Sequence, residues 1–424
     1  MGLRVDVTGV SSFLSRRGVG VLERLDPAAV DRPAGSPRGS TTVRPGSFRL
    51  GIDGRVLDDR YHGIGRVTEA LLRCLTGRPD VDVVVFLRRD QCSRRFDVPA
   101  LTAGLGHTTA TFDSPLDSPL QWLRWPGAIR AAAVDSVLFP YNLGAAVWGR
   151  AQRHTIVHDC ILESDPAFAP SALTRALYMA ATSVVVRRDR VITPTAASAA
   201  AVQETYGVPA DAVTVIPWGV ETAFRGARAR PEEDAGSATA ARTLPAPGSY
   251  LLHVGARRPH KNVVTLVRAL ARLPEDLDLV LVGPVDRRTP DPVPEVAEEL
   301  GVAGRVVHLP HVSEADLIAL YRGAQAFVYP SLVEGFGLPL LEAMAAGAPV
   351  VASDIPVFRE VSRGAAELVP VSDPGAWAEA VMGLRDPARR AQLVHAGHEV
   401  ARTATWSRTT DALVAALRPS SVRA

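Results

Sequence analysis

The sequence predicts an α/β protein made of two doubly wound, Rossmann-like parallel sheets facing each other across a cleft. Three observations carry this expectation. Apolar, strand-like runs alternate with helix-like segments along most of the chain, the mark of βαβ units. The alternation runs twice, and a stretch rich in Ala, Arg, Pro, Gly and Ser at 225–248 separates the two runs. The motifs that carry polar chemistry follow predicted strands, where ligands of such sheets bind.

Residues 1–47 include the turn-rich run Asp31-Arg-Pro-Ala-Gly-Ser-Pro-Arg-Gly-Ser and are expected to be a flexible N-terminal extension. Residues 48–222 form the first domain. Strands are predicted at 48–53, 83–87, 136–139, 155–157, 190–193 and 213–216. A glycine turn at 62–66 leads into a helix to about 75, and further helices cover 171–186 and 196–206. Residues 223–248 are the linker and insertion. The second domain, 249–402, restarts the alternation. Its strands are at 250–254, 277–282, 306–309, 326–329 and 349–352. Its helices are at 263–273, 293–300, 314–321 and 338–346. Residues 403–424 are expected to be a C-terminal helix that can pack back on the first domain.

A chain of 424 residues suits about two to three domains. Its 47% hydrophobic and 22% charged residues are ordinary for a globular protein. The net charge is +2, and no basic run is interleaved with aromatics, so nucleic acid is not an expected partner. Cys74, Cys92 and Cys160 are scattered and lack metal-ligand spacing, which fits a reduced, cytoplasmic setting. No basic segment precedes an apolar core at the N-terminus, so no signal peptide is expected. The longest apolar run, 176–186, falls short of the ~20 residues that span a bilayer. Arg175 with Arg187, Arg188 and Arg190 could form a peripheral basic patch at the inner face of the plasma membrane, against the plainer reading of a solvated helix face.

The most informative stretch is Ser331-Leu-Val-Glu334-Gly335-Phe336-Gly337-Leu338-Pro339-Leu-Leu-Glu342. Two carboxylates flank a glycine-rich turn that opens a helix. Pro339 suits the first helical turn, where its missing N–H has no partner to lose. Gly347 ends the helix. The turn offers free N–H groups at the positive end of the helix dipole, a seat for phosphate. Glu334, before the turn, can reach hydroxyls beside that phosphate. Glu342, about one turn in, can accept hydrogen bonds from a diol. Phosphate between two polyols describes a nucleotide sugar.

Lys261 points the same way. It is the one lysine in a chain whose other cations are arginines, and it follows a predicted strand in Gly255-Ala-Arg257-Arg258-Pro259-His260-Lys261-Asn262. A compact ammonium is a point charge suited to phosphate. A chance surface lysine is the bland alternative. Two Asp-x-Asp pairs, Asp80/Asp82 and Asp276/Asp278, have the spacing to hold a metal on a diphosphate, but both precede strands and read as exposed turns. Gly63-Ile-Gly65 is a fragment of a dinucleotide fingerprint without a third glycine, which weakens a dehydrogenase reading.

Taken together, Gly63-Ile64-Gly65-Arg66, His158-Asp159, Thr193-Pro-Thr-Ala-Ala-Ser198, Gly255 to Asn262 and Glu334 through Glu342 resemble the retaining GT-B glycosyltransferases of family 4, from about Phe48 to the C-terminus. Gly51-Ile-Asp-Gly-Arg55 with the later Gly-Ile-Gly-Arg resembles the bacterial mannosyltransferases that build surface polysaccharide. The resemblance implies a nucleoside diphosphate sugar donor, with mannose from GDP-mannose favoured, and a glycan or lipid-linked acceptor. The donor would sit in the second domain and the acceptor mainly in the first. Lys261 with Arg257 or Arg258 would hold the diphosphate. Glu334 would bind sugar hydroxyls beside the N–H groups of Gly335, Phe336, Gly337 and Leu338, and Glu342 the ribose. Gly65 would let the first domain approach the phosphates. His158, with Asp159 either orienting it or capping the next turn, would lie beside the anomeric carbon. No cofactor or metal ion is expected. The same architecture leaves open an inactive nucleotide-sugar-binding partner subunit, a sugar-nucleotide epimerase and a phosphorylase. The chain departs from the family's pattern at Ala256, His260 and Trp218.

Overall fold

The computed structural model describes residues 47–59, 62–226, 245–286 and 288–419. The expectations for 1–46, and for most of the linker, fall outside the described residues.

The first half forms β1 (Phe48–Asp53), α1 (His62–Leu75), β2 (Val81–Leu87), α2 (Val98–Leu101), β3 (Thr108–Thr111), α3 (Gln121–Ala131), β4 (Ser136–Phe139), β5 (Gln152–Ile156), α4 (Ile161–Ser164), α5 (Ala172–Val186), β6 (Arg190–Thr193), α6 (Ala196–Tyr206) and β7 (Val213–Val215). Its seven strands are all parallel, in the order β3-β2-β1-β4-β5-β6-β7. The second half forms β8 (Tyr250–Val254), α7 (Val263–Leu270), β9 (Asp278–Val282), α8 (Val293–Glu299), β10 (Val306–Leu309), α9 (Glu314–Gly323), β11 (Ala326–Tyr329), α10 (Leu338–Ala346), β12 (Val350–Ser353), α11 (Pro356–Ser362), β13 (Glu367–Val369), α12 (Pro374–Gly383), α13 (Pro387–Thr403) and α14 (Trp406–Leu417). Its parallel sheet runs β10-β9-β8-β11-β12-β13. The order reverses between β1 and β4 in one sheet and between β8 and β11 in the other. Those are the switch points where doubly wound sheets open a ligand crevice. Strands β4 and β11 are buried at every residue, as parallel strands covered on both faces must be.

One expectation needs correction, and several elements have no counterpart in the sequence reading. The segment 62–66 is not a separate turn: it is the first turn of α1. The strand β3, Thr-Thr-Ala-Thr at the sheet edge, is mostly exposed and lacks apolar alternation, so it escaped notice. The helix α3 carries Pro126 in its interior, and α11 to α13 and β13 were also not anticipated.

The chain passes between the two halves twice, and the passages touch. The N–H of Val220 donates to the Ala404 carbonyl at 3.0 Å, and the Thr409 hydroxyl donates to the Pro217 carbonyl at 2.7 Å. Helix α14 lies on the first half, with Asp411 2.5 Å from Arg78 and Arg418 3.0 Å from Asp80. Trp218 and Trp406 stack at the passage, 6.2 Å between ring centres.

Candidate functional site

The chain leaves β11 and turns into α10 through Gly337, whose φ of 90° lies in the left-handed region that favours glycine. Pro339 occupies the first turn and Gly347 (φ 88°) ends the helix. At this helix start the Leu340 N–H donates to the Gly337 carbonyl at 2.9 Å and Pro339 has no N–H, while the positive end of the helix dipole lies at the turn.

Lys261 reaches this turn from the end of a short 3-10 turn after β8. Its ammonium lies 2.5 Å from Glu334 Oε1 and 3.1 Å from the Tyr329 hydroxyl. Ser331 donates to the same carboxylate oxygen at 2.7 Å. Both charged side chains are largely buried, at 14% and 8% exposure. Burial opposes the charge on Glu334, but the Lys261 ammonium and the two hydrogen bonds hold its carboxyl below the ordinary range.

The two arginines beside Lys261 face different ways. The Arg257 guanidinium is held by Asp291 at 3.1 Å and by His308 at 3.1 Å. Arg258 is half exposed, bonded to Asp286 at 3.1 Å, and is one of the cations that bear on Asp159 across the cleft.

Glu342 is buried, and both its oxygens are engaged. Arg66, on α1 of the other half, lies 2.6 Å from Oε1, and the Tyr321 hydroxyl donates to Oε2 at 3.1 Å. The beside-lying cavity, lined by Arg66, Gly219, Val220, Glu221, Leu338, Glu342 and Trp406, has a volume of about 10 Å³. A larger cavity of about 240 Å³ at the passage between the halves is lined by Thr195, Trp218 and Phe336 among others, but by neither Lys261 nor Glu334.

The first half supplies the facing wall. His158 and Asp159 follow β5. The Gly335 carbonyl accepts from Thr195 and Ser198 hydroxyls, each at 3.0 Å. A Cβ on Gly335 would overlap the His158 carbonyl oxygen and stand 2.8 Å from Asp159 Cβ. Glu360, on α11, accepts from the N–H groups of Ala196 and Ala197 at 2.8 and 3.1 Å, capping α6 from the other half. Phe168 meets His260 edge to face at 5.8 Å.

Several sequence-derived placements change. At Gly65 a Cβ would lie 2.5 Å from the Phe96 ring, so packing inside the first half requires glycine here. What crosses from this turn is the next residue, Arg66. Asp159 does not orient His158; it accepts from the Ile161 N–H at 3.1 Å and caps that turn. His158 Nε2 instead bonds the Pro140 carbonyl at 2.8 Å, which makes Nε2 the protonated nitrogen. Arg175 points inward, onto the carbonyls of Leu162 and Glu163 at 2.9 and 2.6 Å. The Asp-x-Asp pairs sit at the start of β2 and β9, with Asp80 bonded to Arg78, Asp82 to Arg49 and Asp276 to Arg385. Sequence reasoning missed Arg66, Tyr321 and Glu360 as participants; only Arg66 had a signal, its place directly after Gly63-Ile-Gly65.

Burial lowers the pKa of His158 to about 4, with the Pro140 bond working weakly the other way. The imidazole is therefore neutral through the physiological range. In proton NMR, the His158 Hε1 resonance, assigned by its absence in H158N, is expected to hold its neutral shift from pH 8 down to pH ~5, because burial disfavours the charged ring. An inflection near the ordinary histidine value would mean that the ring is solvated.

The family described as glycosyltransferase family 4 matches residues 61–224, and the family described as glycosyl transferases group 1 matches residues 239–400. The D-inositol 3-phosphate glycosyltransferase of Acidothermus cellulolyticus is 34% identical over 249 residues, 55% of this chain and 54% of that one. The chain thus spans about half the length of the curated relatives it matches. Among solved structures, sucrose-phosphate synthase from Thermosynechococcus elongatus matches with a TM-score of 0.67 at 21% identity, over 87% of this chain and 98% of that one. Anabaena HepE in complex with UDP and glucose matches with a TM-score of 0.64 at 17% identity, over 87% and 99%. These structural likenesses bear on the fold.

Proposed function

The chain belongs to the GT-B glycosyltransferases of family 4, and from that membership we propose that it transfers a hexose from a nucleoside diphosphate sugar to an acceptor hydroxyl, with retention at the anomeric carbon. The observation that carries this reading is the meeting of Lys261 and Glu334 beside the N-terminus of α10, at the cleft edge of the sheet and opposite His158. In this reading the bond from the anomeric carbon to the diphosphate breaks, and the acceptor oxygen bonds to that carbon on the same face. The acceptor proton passes to the departing phosphate. Lys261, the half-exposed Arg258 and the α10 N–H groups stabilise the charge that develops on the diphosphate. Glu334 holds sugar hydroxyls and Glu342 the ribose. His158, neutral, lines the acceptor side and needs no strong basicity. No step calls for a metal ion, so transfer is expected to survive a chelator.

For the donor we propose GDP-mannose, on the likeness of Gly51–Arg55 and Gly63–Arg66 to mannosyltransferase sequences. The acceptor is a glycan or a lipid-linked molecule of cell-surface synthesis. The curated relatives are named for an inositol phosphate, which supports a hydroxyl-rich acceptor. A peripheral place on the inner membrane surface is supported by α5, which turns Leu173, Leu177 and Val184 outward at 67%, 62% and 38% exposure, with exposed Arg187 and Arg188 after them. No helix among the described residues is long and apolar enough to cross a membrane.

Calorimetric titration of the protein with GDP, UDP and ADP tests the reading. Preference for GDP supports mannosyl transfer. Preference for UDP moves the donor to glucosyl, galactosyl or N-acetylhexosaminyl nucleotides. No binding of any of the three by folded protein overturns the proposal in favour of an inactive partner subunit.

A further inference from the structure

We propose that Arg66 is a latch on the nucleotide subsite, competing with the donor ribose for the Glu342 carboxylate and coupling that competition to the meeting of the two halves. This rests on the reading of Glu342 as the ribose ligand. The Arg66 guanidinium, on α1, lies 2.6 Å from Glu342 Oε1, while the Tyr321 hydroxyl takes Oε2. The carboxylate's side chain is 3% exposed, so it cannot turn to water for further donors. Each carboxylate oxygen already has a donor, and Arg66 lines the small cavity beside them, so a ribose diol arriving there competes with the guanidinium for Glu342.

The arrangement has a physical rationale. A buried carboxylate without a counter-ion is costly, so Glu342 needs either a cation or strong hydroxyl donors. Arg66 supplies the first and a ribose the second. The Arg66 side chain is 35% exposed, so it borders solvent on one side. It also has other carboxylates to turn to, since Glu314 and Glu221 both lie within its electrostatic reach and Glu221 lines the same small cavity. Because Arg66 and Glu342 belong to different halves, their ion pair holds the halves together at the subsite. Ribose binding exchanges that tie for one made through the nucleotide.

The latch predicts that removing a residue from the site tightens binding. If the ion pair is formed about nine-tenths of the time, freeing Glu342 strengthens apparent nucleotide affinity roughly tenfold. The experiment titrates wild type, R66M, R66K and E342Q with the nucleoside diphosphate that wild type prefers, and with its 2′-deoxy analogue. R66M is expected to bind the ribonucleotide about tenfold tighter, with little gain for the deoxy analogue, and R66K to fall between. A merely structural loosening would move both ligands alike. Unchanged or weaker ribonucleotide binding by folded R66M overturns the latch. E342Q separates the two claims: if it binds the ribonucleotide as wild type does, the ribose role of Glu342 fails. If E342Q loses affinity while R66M gains none, that role stands and the latch falls.

Discussion

Replacing Lys261 with alanine is expected to lower kcat/KM for the donor by roughly 10²–10³-fold, the loss that follows removal of one preorganised charge donor, about 3–4 kcal/mol. The ammonium is 14% exposed and lies 2.5 Å from Glu334, just before the α10 turn. Arg257 is held by Asp291 and His308, and Arg258, which lies against Asp286, adds its own charge at the diphosphate but does not take the place of the Lys261 ammonium against Glu334. The variant carries a second effect. Glu334 is buried and owes its low pKa to Lys261, so K261A leaves an uncompensated charge and lowers thermal stability. The double variant K261A/E334Q separates the two roles: its Tm is expected to recover, while nucleotide affinity and turnover do not. K261R is expected to recover activity only in part, because a planar fork does not reproduce a compact point charge. Donor kinetics within twofold of wild type in K261A would remove this lysine from the site.

Gly335→Ala is expected to separate binding from turnover. The methyl group would overlap the main-chain carbonyl of His158 and crowd Asp159, so the turn cannot seat against the first half. It would also pull the Gly335 carbonyl away from the Thr195 and Ser198 hydroxyls. Lys261, Glu334 and the start of α10 all belong to the second half and keep their geometry. Nucleotide affinity is therefore expected to stay near the wild-type value. Transfer is expected to fall by about 10²-fold, the scale of loss when reacting groups are misplaced by ~1 Å. A double variant, T195V/S198A, removes the two hydroxyl donors without adding bulk and is expected to lose less in the same direction. Wild-type kcat in folded G335A would show that this contact does not set the reacting geometry.

These expectations differ in how early they were visible. Lys261 stood out by composition, and Glu334 by its place before a glycine turn and a proline-started helix; both signals are local. Gly335 was visible as part of that turn, but its need to be glycine was not. The need comes from His158, far away in sequence and on the other sheet. At Gly65 the need for glycine arises inside its own half. Its neighbour Arg66 makes the crossing, whereas the glycine accommodates Phe96 within its own half. Asp159 could be read as orienting His158 or capping a turn, and only the position of the Ile161 N–H chooses the cap.

By itself the sequence determined the two alternations of strand and helix, the long helices α5, α6 and α10, the buried central strands and the residues that gather at strand ends. Each of these depends on periodicity, on glycine and proline at particular places, or on a residue type rare in the chain, and such information is carried within a few residues. The edge strand β3 was not determined this way, because an exposed Thr-Thr-Ala-Thr has no apolar face to betray it. Tertiary structure alone decided which partners the site residues take. Thr195 meets Gly335 across 140 residues, Arg66 closes on Glu342, Glu360 caps a helix in the other half, and Arg257 turns away while Arg258 faces the cleft. Periodicity places a residue on a face of its own element but leaves open what stands opposite. A charged side chain a few ångströms from two possible partners takes the one that the packing of two separate sheets brings nearer and shields from water.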